Sequence, residues 1–231
     1  MSRLLLFSRK VAPRSTLLSG LSLYLKNDEA SGPHVDATGT VTAFTNNNTV
    51  LGSPGQIGNA ADLVAASSQS LSHADVAALR GGDHDWAWSA WVNLTTKTVT
   101  RSFVTKRLLT DYEYQLYYSS AADRFGIYCN GVDLRATAFG APATATWYYV
   151  YAQYNAVGNL LGISVNGGAI ATAALASGGS ATAGPVSVGI DTTLYPMDGA
   201  IDELKFWSAR TLTAAEIAED YANGVAGRPL F

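Results

Sequence analysis

The stretch WYYVYAQYNAVGNLLGISVNGGAIATAA, residues 147–174, decides the fold. WYYVYAQYN (147–155) is dense in tyrosine and valine, residue types that suit a pleated, half-buried surface. Two further runs of strand length follow, LGISV (161–165) and AIATAA (169–174). Asn166-Gly167-Gly168 stands between them, and Asn and Gly accept the positive φ of a tight turn, so the two runs are expected to pair as antiparallel neighbours.

Outward from this segment the same texture recurs. LSLYL (21–25), TVTAFT (40–45), NAADLV (59–64), DWAWSAWVNL (85–94), SFVTKR (102–107), YEYQLYYS (112–119), RFGIYCN (124–130), PVSVGI (185–190) and IDELKFWS (201–208) read as strands between Gly, Asn, Asp and Pro punctuation. So many short strands imply an all-β sandwich of two antiparallel sheets. Trp86, Trp88 and Trp91 fall on a strand that is aromatic on both faces, which is a core pattern. One helix is expected near the C-terminus. Thr213 and Glu216 form a capping box, Leu212 and Ile217 a hydrophobic staple, and Ile217 and Tyr221 one apolar face. Asn223-Gly224 reads as its left-handed stop, and the helix is expected against the sandwich edge.

The 231 residues are 14% charged and 48% hydrophobic, which excludes a coiled coil or a charge-driven disordered chain. A net charge of −3 argues against a broad grip on nucleic acid. That charge is uneven, because Arg3, Arg9, Lys10 and Arg14 put +4 in the first 17 residues and leave −7 for the rest. Residues 1–19 are therefore read as a basic and apolar arm, and 20–231 as the folded body. Cys129 is the one cysteine, so neither an internal disulfide nor a thiolate metal cluster staples the fold. The apolar run at Leu4–Phe7 is cut by Ser8, Arg9 and Lys10 and falls short of the roughly 7–15 residues of a secretory signal. No membrane insertion and no Sec export are expected from the chain as written.

Several segments in order resemble the laminin-G-like, or concanavalin A-like lectin/glucanase, domain. They are LSLYLKNDEASG with VDATGT, GQIGNAADLVAASSQSLS, DWAWSAWVN, TWYYVYAQYN with ISVNG, and DGAIDELKFWSARTLTAAEIAEDYANG, together covering residues 20–225. The resemblance implies a jelly roll of two curved antiparallel sheets that binds glycans or proteins, often with structural calcium (Ca2+). Asp28 or Glu29, Asp36 and Asp202 match the family segments that converge near the metal, while acids that simply cap turns are the alternative. VDATG lacks the Asn-Gly that often extends this loop in relatives.

Jelly-roll glucanases carry carboxylates on alternate residues of one strand, and no such set occurs here. Asp202 and Glu203 are adjacent and should point to opposite faces, and Asp111 and Glu113 read as a solvated strand end. His34, His73 and His84 read as loop surface histidines. No enzyme activity is expected. Tyr148, Val150, Ala152 and Tyr154 match the family's buried face, so Tyr149, Tyr151 and Gln153 should point the other way. By the same parity Glu113, Gln115, Tyr117, Arg124 and Tyr128 share a face. If these strands are neighbours, they form a tyrosine-rich glycan or partner surface. A covering loop or protein neighbour is the alternative.

A fold usually found outside cells, no export signal in the chain and a basic arm point together to a bacteriophage virion surface protein, such as a capsid decoration. It would be made in the host cytoplasm and would meet glycans of a host surface on release. The arm, through Arg3, Leu5, Leu6, Phe7, Arg9, Lys10 and Arg14, would anchor it to other virion proteins or copies of itself. A bacterial secreted carbohydrate-binding or adhesion module is the alternative, and a glycanase the distant third.

Overall fold

The computed structural model describes residues 15–48 and 50–231. The anchoring residues expected in the arm, Arg3 to Arg14, lie outside the described residues. Two antiparallel sheets pack face to face. One contains β1 (Leu21–Leu25), β3 (Leu51–Pro54), β4 (Asn59–Leu63), β6 (Trp86–Leu94), β11 (Trp147–Asn155), β12 (Leu160–Val165), β13 (Ala171–Ala174) and β15 (Gly199–Ser208). Its order is β13-β12-β11-β6-β15-β4-β3, with β1 also on β15. The other contains β2 (Thr45–Asn47), β5 (Ser70–His73), β7 (Arg101–Leu108), β8 (Asp111–Ser119), β9 (Arg124–Cys129), β10 (Val132–Arg135) and β14 (Val186–Val188), ordered β10-β9-β8-β7-β14-β5-β2.

The expected turn holds, with Asn166 and Gly167 at φ 52° and 68° joining β12 to its antiparallel partner β13. TVTAFT contracts to β2 and an isolated Phe44–His34 bridge. Three strands escape the sequence pattern. LGSP (51–54) carries Gly and Pro, VDLR (132–135) is short, and SLSH (70–73) offers one apolar residue between two serines.

The inter-sheet core is aromatic. Trp88 lies 4.6 Å from Phe206 and 5.2 Å from Tyr114 between ring centroids, and Trp86 and Tyr154 join them. A second cluster lies on the outer face of the eight-stranded sheet, where α1 (Ala214–Val225) covers Ala87, Trp91, Tyr149, Tyr151 and Trp207. The helix is thus not at the sandwich edge. Tyr221, four residues after Ile217, stacks at 5.7 Å on Trp91, which an edge position would not allow. Residues 15–19, expected as arm, belong to this layer. Leu17 is fully buried, its carbonyl accepts from Trp207 Nε1 at 2.7 Å, and Ser15 Oγ donates to Glu219 at 2.8 Å.

The capping box forms as read: Thr213 Oγ1 accepts from the Glu216 amide and Glu216 Oε2 from the Thr213 amide. The stop does not. The helix runs through Asn223-Gly224, and the nearby left-handed glycine is Gly227, at φ 64°. Gly224 is needed for space, because a Cβ there would lie 2.2 Å from Trp91 Nε1. Alanine ordinarily favours a helix over glycine by about 1 kcal/mol. At this position we expect Gly224→Ala to destabilise the fold by about 1–3 kcal/mol through overpacking, read by thermal melting. An unchanged or higher Tm would contradict it.

Candidate functional site

The expected tyrosine surface is divided between the two sheets. Tyr149, Tyr151 and Gln153 do face away from the core, as the parity required, but on the eight-stranded sheet, where the two tyrosines lie beneath α1. Tyr149 donates to Asp220 at 2.9 Å, and Tyr151 accepts from the Leu212 amide at 2.9 Å while donating to Gln153 at 2.8 Å. The two tyrosines are spent on holding the helix. Gln115, Tyr117, Arg124 and Tyr128 share the outer face of the seven-stranded sheet instead. Since β11 never neighbours β8 or β9, the composite face does not form.

Glu113 leaves its expected face because β8 carries an extra residue there: Tyr114 pairs with Lys106 but Tyr112 with Arg107. The bulge turns Glu113 into a buried cluster rather than a solvated strand end. It lies 3.0 Å from Lys106 Nζ, both side chains being fully buried, and accepts from the amides of Gly81 and Thr182. Lys106 also meets Asp75 at 2.9 Å, and the Arg80 hydrogen bond helps hold the Asp75 carboxyl down at about 2. Tyr112 takes the outward place, edge-on to Tyr128 at 5.0 Å.

A second bulge, between Asp202 and Lys205 opposite β6, with Glu203 at φ 51°, breaks the other parity expectation. Glu203 and Lys205 meet at 3.2 Å, Lys205 meets Asp220 at 3.2 Å, and Glu203 accepts from Tyr24. Asp202 is also buried beside Glu203. Its Oδ2 accepts from the Ile57 amide at 2.8 Å, its Oδ1 has no hydrogen-bond partner, and burial pushes its carboxyl up to about 8.

The three acids expected at calcium are not assembled as a ligand set. Asp36 spends both oxygens on the Tyr24, Thr38, Thr40 and Val41 amides and the Thr38 hydroxyl, at 2.7–3.1 Å. Asp28 is exposed and accepts from the Asn59 amide, while Glu29 accepts from the Val35 amide. Asp28 and Asp202 do grip the same β3–β4 turn. Among the described residues no three His, Cys, Asp or Glu side chains come together to hold a metal, so the residues present do not fit Ca2+ bound by all three acids. Asp36→Ala should cost about 2–4 kcal/mol by stranding its donors. The loss should be the same in EDTA as in calcium, as judged by urea unfolding; a loss seen only with calcium present would reverse the assignment. His34, expected at the surface, is fully buried, with Nδ1 2.9 Å from Asn27 Oδ1.

The surface left open is the other half of the seven-stranded outer face. One row of residues crosses six strands in register, Thr45–Ser72–Ser187–Thr105–Gln115–Tyr128, alternating with core residues such as Leu71, Val186, Val188, Val104, Leu116 and Ile127. Thr105 and Gln115 are buried, and the Asp191–Leu194 turn is held against that side. Asp191 accepts from Tyr112 Oη at 2.6 Å and pairs with Arg107 at 2.5 Å. Tyr117 is likewise closed, bonded to Asp133 and Arg135. Beside the turn lies a cleft of about 390 Å3 with Ser70, Ser72 and Ser187 as its floor. Asn47 and Asn48 form one wall, Thr192 and Thr193 the other. None of the eight binding residues expected from sequence lines it. The signal that could have found it is serine alternation, in PVSV on a strand the sequence shows and in SLSH, which polarity disguises as loop.

A two-sheet jelly roll with an inserted aromatic core and a polar outer cleft defines a lectin-like sandwich. Residues 65–218 match the family model described as the concanavalin A-like lectin/glucanases superfamily, and the chain belongs to that superfamily. No curated protein sequence matches it. Among solved structures it is similar to domain 4 of AbnA, an extracellular arabinanase of Geobacillus stearothermophilus solved with arabinotriose. The TM-score is 0.67 at 16% identity, over 86% of this chain and 97% of that one. It is also similar to the botulinum neurotoxin serotype D binding domain, with TM-score 0.68 and 13% identity over 88% of this chain and 52% of that one. For Trypanosoma rangeli sialidase the TM-score is 0.67 and the identity 12%, over 91% of this chain and 34% of that one. The chain thus spans about half of the toxin domain and a third of the sialidase, and at these identities the likeness is one of fold.

Proposed function

We propose that the chain is a non-enzymatic glycan-binding module on the surface of a bacteriophage particle, with the cleft turned outward and the N-terminal arm anchoring it to neighbouring virion proteins or further copies. The observation that carries this reading is that Ser15, which follows the expected anchoring residues, and the cleft lie on opposite sheets. The described chain starts at Ser15, bonded to α1 outside the eight-stranded sheet, whereas the cleft opens on the outer face of the opposite sheet. An anchor on one side leaves the other free to bind. Absence of catalysis rests on the cleft itself, whose lining holds no Asp, Glu or His to act as general acid or base. Glycan binding rests on its hydroxyls and amides, which suit sugar hydroxyls, and on the superfamily's lectins. The alternative, a bacterial secreted carbohydrate-binding module, draws on the likeness to a domain of an extracellular arabinanase.

Deleting residues 2–14 tests the proposal, since residues 15–19 are part of the fold and must stay. The truncated chain should melt as the full one does and keep any sugar binding, yet fail to co-purify with particles. Undiminished incorporation would overturn the anchoring role and favour the secreted module.

A further inference from the structure

Resting on the recognition face proposed above, we infer that the cleft takes a short, uncharged, hydroxyl-rich saccharide, held by hydrogen bonds rather than by ring stacking or charge. No residue lining it carries a formal charge, and none is aromatic. The nearest guanidinium, Arg107, is committed to Asp191 at 2.5 Å, the Leu109 carbonyl at 2.7 Å and the Thr192 hydroxyl at 3.0 Å. A carboxylate or sulfate entering the cleft would shed water and meet no cation, a desolvation cost without return.

The floor is suited to neutral hydroxyls. Ser70 and Ser72 alternate along one strand, about 7 Å apart, and Ser187 sits across from Ser72 at about 5 Å, a spacing comparable to that of hydroxyls on a sugar. Each serine hydroxyl can rotate to donate or accept, as can its sugar partner, and Asn47 already donates to Ser72 at 3.0 Å, which orients it. Length is limited by the wall. The Asp191–Leu194 turn, pinned from β7 and β8 through Arg107 and Tyr112, closes the polar row between Ser187 and Thr105, so a polymer cannot lie along all six strands. A cleft of about 390 Å3 lies at the small end of ligand sites and holds about two sugar rings.

Calorimetric titration of the full chain with arabinotriose, cellotriose, maltotriose and trigalacturonate tests this. Thr193→Trp, at an exposed wall position, and Ser187→Trp, on the floor, would fill the cleft. At least one neutral trisaccharide should bind about tenfold or more tightly than trigalacturonate, with affinity unchanged between about 50 and 500 mM NaCl. Both tryptophan variants should lose that binding. Tighter binding of trigalacturonate, still lost in Thr193→Trp, would overturn the ligand class and leave the recognition face standing. Neutral binding that survives both variants would overturn the face, and so would a lack of binding by all four sugars. Thr193→Trp keeps the test readable if the buried Ser187 position does not tolerate the larger ring.

Discussion

Lys205→Met should destabilise the protein by about 3–5 kcal/mol at neutral pH. Lys205 lies fully buried under α1, 3.2 Å from both Glu203 and Asp220, with its ammonium 5.0 Å from the Tyr24 ring centre. Burial alone would lower its pKa, but the Asp220 and Glu203 carboxylates outweigh burial and raise it, so the lysine is charged in the fold. Methionine keeps an unbranched chain one atom shorter and leaves two buried carboxylates facing each other. Asp220 would retain Ser89 and Tyr149, and Glu203 would retain Tyr24, which is too little to replace a cation. Adding Glu203→Gln and Asp220→Asn to Lys205→Met should recover much of the loss, since removing a whole buried ion network is far less costly than halving it. Urea unfolding of the single and triple variants measures both effects. A single variant within 1 kcal/mol of the parent, taken as roughly the scale of a surface pair, would contradict the network's weight.

The Asp202 carboxyl is raised to about 8, first by burial and then by Glu203, against about 4 in an unfolded chain. Between those values the folded state holds a proton that the unfolded state has released. A rise in pH therefore favours unfolding, and the stability tied to this group declines from about pH 4 to about pH 8. Asp202→Asn stays neutral throughout while keeping an acceptor for the Ile57 amide. It should match the parent near pH 4 and exceed it by about 1–3 kcal/mol near pH 8. Denaturant midpoints across that range decide the matter. Identical slopes for parent and variant would mean that Asp202 titrates normally in the fold. Slopes that coincide only when calcium is present would place a cation on its unpartnered oxygen.

Much of the sandwich is legible in the sequence because alternation reports burial directly. Trp147–Asn155 has the expected bounds, the Asn166-Gly167 turn has the expected positive φ values, and the capping box at Thr213 forms. The misread positions share two physical causes. Parity holds only along an unbroken ladder, and the bulges at Glu113 and Glu203 carry no glycine or asparagine to announce them. Each one reverses the face of a charged residue. Glycine is ambiguous in the same way: Gly224 has the sequence look of a helix stop yet serves the Trp91 ring. The candidate cleft was less legible still. Its floor is built of serines from β14, a strand legible in the sequence, and from β5, which composition assigns to a loop, whereas Tyr149 and Tyr151 are committed beneath α1, Tyr117 is bonded to Asp133, and Tyr128 packs edge-on against Tyr112. A polar strand facing outward has no hydrophobic signature on that face by construction.

The claim that the outer face of the seven-stranded sheet is the recognition surface is tested most directly by amide chemical-shift mapping of the full chain with a neutral trisaccharide, arabinotriose first. Perturbations should concentrate at Asn47, Asn48, Ser70, Ser72, Ser187 and the 190–193 turn, with the amides of Trp91, Tyr149 and α1 unmoved. Shifts centred on α1 and the eight-stranded face, or none with any neutral trisaccharide at saturating concentration, would contradict it.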